Sequence, residues 1–277
     1  MTIWNFFESI STASRFKRLG KFLASPSGSL YPSYIVSRAD FERTSVDRFI
    51  QNIRIASNRE LLLDAGAGNF RFKQILLDKN YNYESHDFDQ VFDQDSRGKH
   101  TYVSDIISIP VEDSRFSVVV CTQVLEHLPE PLAAFKELAR VLKPNGELFL
   151  TTNLLFPVHG APYDFFRFTN FGLEHLCRES GFSEIEITPR GGFFSFFAKV
   201  VFDLPSIPTS WIFFDGASPH GQRELKVKSW PLIVLLLPVV FVLDLTCTLL
   251  AFLISQFDWM DKKQRFTLGY QLYAKRA

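Results

Sequence analysis

A doubly wound, mostly parallel α/β sheet is the architecture this sequence predicts, and three observations predict it. From residue 61 to about residue 190, short apolar or β-branched runs alternate with stretches of helical periodicity. The first run, "ELLLDAGAG", ends in an acid and a glycine turn, as a buried parallel strand entering a loop does. The most β-branched run, "RFSVVVCTQVLEHL", leads straight into a helical pattern.

Taken in order, the chain opens with residues 1–57, which read as a helical cap. Its clearest helix is "ADFERTSVDRFIQNI", where Phe41, Val46, Phe49 and Ile53 fall near one face. After the first strand, "FRFKQILLDKN" places Phe72, Ile75 and Leu76 at helical spacing and stops at Asn80. "YNYESHDFD" and "TYVSDI" are the second and third strands. The fourth strand feeds "PLAAFKELARVLKPNG", a helix expected to close at Pro144 and Gly146. "GELFLTTN" is the fifth strand, "NFGLEHLCRESGF" a helix ending at Gly181, and "SEIEITPR" the sixth strand. Residues 58–190 therefore form the core.

Composition narrows the function classes. Thirty basic residues balance thirty acidic ones, so the chain lacks the net positive charge of a nonspecific nucleic-acid binder, and no nucleic-acid partner is expected. Cys121, Cys177 and Cys247 are few, far apart and set in apolar surroundings, which suits reduced core thiols and a cytoplasmic location; no metal site is expected. The first 22 residues have no compact apolar stretch of the kind a signal peptide needs.

The glycine loop separates two enzyme classes. A dinucleotide fingerprint needs a third glycine where helix and pyrophosphate meet, but the loop reads Gly66, Ala67, Gly68, Asn69, Phe70, Arg71. A nicotinamide oxidoreductase is thereby a distant alternative. Asp64, two residues before the first glycine, instead places a negative charge where a cationic ligand group can be held.

"LLLDAGAG" resembles the first motif of class I S-adenosylmethionine-dependent methyltransferases, and the resemblance extends from residue 61 to about residue 190. It implies a Rossmann-like, seven-stranded sheet whose last strand is antiparallel, with S-adenosyl-L-methionine as cofactor. It further implies that Asp64 lies near the methionyl end and that Gly66 and Gly68 let the backbone approach the cofactor. Asp87, with Asp89 as second candidate, would bind the ribose. Asp105 would contact the adenine amino group, with Ile106 beside the ring, and Gln123 joins the cofactor set. The family's first motif usually carries another glycine where Phe70 stands.

For the acceptor, "CTQVLEHL" after the fourth strand is similar to the small-molecule branch of the family, and it lacks the Asn/Asp-Pro-Pro-aromatic motif typical of enzymes that methylate DNA bases or protein amides. The implied acceptor is a small molecule, a glycan or a lipid-linked group, methylated at oxygen in preference. A hydroxyl acceptor benefits from a base with pKa near neutrality, and His127 and His159 follow strand ends on the cofactor side. Glu126 and His127 could equally cap a helix. "HGAPYDFFRFTNFG" resembles a segment lying near the acceptor pocket in one subgroup, which makes Tyr163, Asp164 and Arg167 the substrate-binding candidates. Arg167 either binds an anionic group or pairs with Asp164 to fix the loop. A catalytically silent, cofactor-binding scaffold is the rival function.

The seven-stranded resemblance makes "FTLGYQLYAKR" the final strand, residues 266–277, and residues 191–265 an apolar helical insertion. Within it, "WPLIVLLLPVVFVLDLTCTLLAFLISQF" has the length of a bilayer span, interrupted by Pro238, expected to bend it, and by Asp244. Both ends of the insertion must return to one sheet, so a single crossing is excluded. Ser195, Lys199 and Asp203 recur every four residues, and Asp244, Thr248, Ala251 and Ser255 form a small polar stripe suited to protein or headgroups. Basic flanks, Arg223, Lys226, Lys228, Lys262, Lys263 and Arg265, fit association with the cytoplasmic face of a membrane. A cap packed on the core or in a homodimer is the alternative.

Overall fold

The computed structural model describes residues 40–88, 99–205 and 230–277, with no side-chain description for 230–234 and 237. Asp89, Arg223, Lys226, Lys228 and most of the N-terminal cap lie outside the described residues.

Helix α1 (Phe41–Gln51) precedes β1 (Leu61–Ala65), α2 (Lys73–Asp78), β2 (Asn82–Asp87), β3 (Tyr102–Val103) and β4 (Phe116–Thr122). A 3-10 turn at Leu125–His127 leads to α3 (Pro131–Val141), β5 (Leu142–Asn153), α4 (Asn170–Glu179) and β6 (Phe182–Pro189). Helices α5 (Phe193–Asp203) and α6 (Trp230–Ser255), a 3-10 turn at Asp258–Met260 and β7 (Gly269–Arg276) complete the chain. The seven strands form one sheet in the order β3-β2-β1-β4-β5-β7-β6, parallel except for β7, which is antiparallel to both neighbours. The doubly wound sheet and the antiparallel last strand agree with expectation.

Alternation along the strands sorts side chains into two cores. Leu62, Val118, Val120 and Phe149 face Val46 and Ile50 of α1 and Leu76 of α2. Leu63, Val119, Cys121, Leu148 and Leu150 face Phe135 and Leu138 of α3 and Leu173 and Cys177 of α4. All three cysteines are free and buried, and burial pushes the Cys177 thiol up to about 12. Helix α4 starts where Thr169 Oγ1 accepts from Gly172 N at 3.1 Å, a side-chain N-cap.

Two local expectations need correction. Helix α3 ends at Val141, before Pro144 and Gly146, because Leu142 is already extended and pairs with Phe116 of β4. The next pairing joins Val118 to Glu147, so Lys143–Gly146 bulge out of β5, with Asn145 turning at φ 61°. Helix α2 covers only Lys73–Asp78, with Phe70 in a left-handed turn at φ 60° ahead of it. Helix α6 continues through Pro238 without ending.

Helices α5 and α6 leave the sheet between β6 and β7 and pack against each other through Ala198, Val201, Cys247 and Ala251. The turn after α6 caps α5: Gly192 N and Ser195 N donate to Asp258 carboxylate oxygens at 3.0 and 2.8 Å, and Phe193 N donates to Asp261 at 2.8 Å. Two carboxylates thus meet the positive end of α5 and tie the start of one helix to the end of the other, which makes the pair an antiparallel hairpin.

Candidate active site

The carboxyl ends of β1 and β2 and the start of the loop after β3 bring Asp64, Asp87 and Asp105 to one edge of the sheet, since these three strands are neighbours. Asp64 is 1% exposed. Its Oδ2 accepts from the Tyr83 hydroxyl at 2.8 Å, while its Oδ1 is buried with no hydrogen-bond partner. Burial holds the carboxyl up at about 7; the Tyr83 hydrogen bond opposes that rise and the charge of Asp87 adds to it. A buried acid with one unsatisfied oxygen fits a cationic ligand group, which would favour its ionised form.

The glycine loop is shaped for close approach. Gly66 sits at φ 78°, and a Cβ there would lie 2.3 Å from a Val124 methyl, so only glycine fits. Gly68 opens onto free space and donates its N–H to Asp87 Oδ2 at 2.6 Å. Asp87 Oδ1 accepts from Phe88 N at 2.7 Å, so each of its oxygens retains one lone-pair direction for a ligand. Phe70 keeps the left-handed backbone that glycine would adopt without strain, and its ring stacks on His100 at 4.5 Å. Asp105 is exposed, with Oδ1 accepting from Ile107 N at 3.2 Å. Ile106, expected beside the ligand, is instead buried in the core next to Ile109 and Phe116; Ile107 is the exposed neighbour. Gln123, at φ 55°, is half-buried and donates to Thr151 Oγ1 at 3.1 Å.

Across the edge, the turn after β4 meets the loop after β5. Phe165 N donates to the Glu126 carbonyl at 2.9 Å, and the buried Glu126 carboxylate accepts from Thr152 Oγ1 at 2.9 Å and Asn153 Nδ2 at 2.8 Å. His127 and His159 come together with ring centroids 4.7 Å apart. His127 Nδ1 faces the Tyr163 carbonyl and His159 Nδ1 the Pro157 carbonyl. A carbonyl only accepts, so each Nδ1 carries the proton and each Nε2 keeps a lone pair. Glu126, His127 and His159 each bring one ligand-type atom within 4.8 Å of the others, with one Glu126 oxygen accepting from Thr152 and the other from Asn153.

Tyr163 is exposed beside the histidines. Asp164 and Arg167 are not presented to an acceptor: Arg167 donates twice to Asp164, at 2.6 and 2.8 Å, and once each to the carbonyls of Phe156, Phe166 and Pro157. All five guanidinium donors are occupied, the pattern of the loop-fixing alternative. Arg167 holds the Asp164 carboxyl down at about 2.

One residue escaped the sequence reading. The Arg190 side chain is fully buried; it donates from Nη2 to Asn153 Oδ1 at 2.9 Å and from Nη1 to the Glu42 carbonyl and Ser45 Oγ at 3.2 and 3.3 Å. Through Asn153 it links the Glu126 turn to α1. Its only sequence signal is a position at the end of the sixth strand, before Gly191 and Gly192.

Residues 63–150 match the model of the methyltransferase domain family. The ubiquinone biosynthesis O-methyltransferase of Marinobacter nauticus is 31% identical over 71 residues, which cover 24% of this chain and 30% of that protein. The one from Coxiella burnetii is 34% identical over 67 residues, 22% of this chain and 29% of that protein. The chain thus matches under a third of the length of these curated relatives. The solved structure of the cyclase SpnF aligns over 85% of this chain and 81% of that one, with a TM-score of 0.52 at 17% identity, a likeness of fold alone. Over residues 63–150 the chain thus matches the methyltransferase domain family, within a β3-β2-β1-β4-β5-β7-β6 sheet that carries an acid-glycine loop at the end of β1.

Proposed function

We propose that the chain transfers a methyl group from S-adenosylmethionine to a hydroxyl oxygen of a small-molecule, glycan or lipid-linked acceptor. The observation that carries this reading is Asp64, buried at the end of β1 with an unpartnered oxygen beside a glycine loop that only glycine can form at Gly66. Asp64 would hold the cationic methionyl end, Gly66 and Gly68 would admit it, and Asp87 and Asp105 would take the ribose and adenine. When bound, this cofactor supplies a methyl carbon already activated by its sulfonium. The chain's own contribution is then alignment and exclusion of water, together with removal of the acceptor proton.

His127 or His159 accepts that proton at Nε2, since each Nδ1 is engaged by a carbonyl. Tyr163 lines the acceptor side, and the Asp164–Arg167 pair keeps the loop in shape. The relatives from Marinobacter nauticus and Coxiella burnetii, both O-methyltransferases, support oxygen as the acceptor atom.

The test is incubation of the protein with methyl-labelled donor and a fractionated cell extract. Label in the organic phase identifies a lipid-linked acceptor and label in the aqueous phase a soluble one. His127→Asn and His159→Asn should lower turnover with donor affinity unchanged. Cofactor binding without label transfer in any fraction would favour the silent-scaffold reading.

A further inference from the structure

The α5–α6 hairpin has its polarity reversed relative to a helix pair folded for water. On α6 the positions turned toward the protein are Val240, Asp244, Cys247, Thr248, Ala251 and Ser255, a stripe half of which is polar; Asp244 is 3% exposed. On α5 the inward positions are Ser195, Ala198 and Val201. The outward positions are the large apolar ones: Phe193, Phe197, Val200 and Leu204 on α5, and on α6 a band running from Leu235 through Val242 and Leu250 to Leu253. Among the described residues from Leu235 to Leu253, no exposed position is charged, and the exposed Thr246 hydroxyl donates to the Val242 carbonyl at 2.8 Å. A hydroxyl returned to its own helix backbone, small residues at the helix contact and an apolar exterior are what a hydrocarbon solvent selects.

Charge complementarity identifies the occupant. The 23 residues Pro238–Met260 are long and apolar enough to cross a membrane. At their C-terminal end the surface changes character: Trp259, 73% exposed, lies with exposed Met260 and Phe266 beside exposed Lys262, Lys263 and Arg265. An aromatic and basic collar at the root of an apolar hairpin matches the headgroup layer of an anionic bilayer. A second copy of the chain would present the same basic collar and repel it.

The root also fixes an orientation. Because β7 is antiparallel, its first residue, Gly269, pairs with Asn153 at the carboxyl end of β5. The hairpin therefore leaves the sheet from the edge that carries Asp64, Asp87 and the acceptor loop. Lys199 of α5 lies over the ring of Phe156, 5.8 Å from its centroid, and Phe156 contacts His159 at 4.9 Å between ring centroids.

We infer that the α5–α6 hairpin inserts into an anionic phospholipid bilayer up to the collar at Trp259–Phe266, which sets the histidine-bearing mouth of the site against the lipid headgroups.

The experiment is flotation of the full chain with vesicles of phosphatidylcholine alone and of phosphatidylcholine mixed with phosphatidylglycerol. The wild type should float with the mixed vesicles and stay bound after a high-salt wash. Replacing Lys262, Lys263 and Arg265 by Ala should weaken partitioning on the order of 100-fold, from about 1 kcal/mol per basic residue at the surface. Leu250→Glu with Leu253→Glu should abolish salt-resistant binding while leaving the thermal midpoint unchanged, since both side chains are exposed. Failure of the wild type to float, release by salt alone, or full binding by the glutamate variant would overturn the proposal. So would a stable dimer that fails to float and that Leu253→Glu splits. Flotation detects no methyl transfer, so its outcome is independent of the reading of the active site.

Discussion

The sheet and the hairpin sort the same residue types in opposite directions. In the sheet, Leu148 and Leu150 are buried between layers; in the hairpin, Asp244 and Thr248 are buried while Leu250 and Leu253 face outward. Burial in water stabilises by removing apolar area, about 25 cal/mol per Å². That term holds the sheet together and cannot explain the hairpin, whose largest apolar side chains stay exposed. What the hairpin buries is a packed seam of small residues and a capped helix start. The contrast is what the proposed bilayer insertion would account for, with water on one side of the basic collar and hydrocarbon on the other.

Substitution should break this comparison most sharply in the sheet. Leu148→Ala removes a fully buried side chain and should cost about 2–5 kcal/mol of unfolding free energy in denaturant titrations. Leu253→Ala, at a position 56% exposed, should change the same quantity by no more than about 0.5 kcal/mol. Equal effects would mean the outer face of the hairpin is covered after all.

At the site, Asp64→Ala should weaken S-adenosylmethionine binding by about 100-fold in calorimetry while the protein stays folded. With its carboxyl held up at about 7, cofactor affinity in the wild type should rise with pH through that value, because only the ionised acid holds a cationic group. In the empty protein the sign reverses. A raised acid stabilises the fold fully below its ordinary value near 3.8, and that contribution is lost as pH rises through about 7. Asp64→Asn should flatten both profiles.

Arg167→Lys keeps the charge but loses the two-pronged grip on Asp164. We expect turnover to fall about tenfold from disorder of the acceptor loop, with donor affinity unchanged. The smallest effect should come from Phe70→Gly: it relieves a left-handed backbone but removes the stack on His100, so stability should shift by no more than about 1 kcal/mol.

The edge that gathers Asp64, Gly66, Gly68 and Asp87 was legible in the sequence because its signals are local. Asp64, Gly66 and Gly68 span five residues, and Asp87 closes a short strand. The inward stripe of α6 was legible for the same reason, as a recurrence at helical spacing. Ile106 was misplaced because β3 has only two residues, too few for alternation to say which neighbour turns inward. The role of Arg167 was undecided in the sequence, since pairing with Asp164 and binding an acceptor use the same side chains; only the carbonyls that complete its donor set decide it. Arg190 was invisible because its partners Asn153 and Glu42 lie 37 and 148 positions away. Helix α6 continues through Pro238 because a proline removes one hydrogen bond without ending a helix whose neighbours hold it.

The position of β7 also dictates when the molecule can be completed. Among the described strands β6 pairs only with β7, which follows α5 and α6 in the chain. Closing the roughly 80-residue excursion between β6 and β7 carries an entropic cost of ~4 kcal/mol if the excursion is unstructured. During synthesis α5 and α6 emerge before β7 does, so a hairpin that has already found its surroundings shortens that excursion to a pair of fixed stems. Order of emergence and order of assembly then coincide, and the edge of the sheet that carries β6 stays open until β7 has emerged.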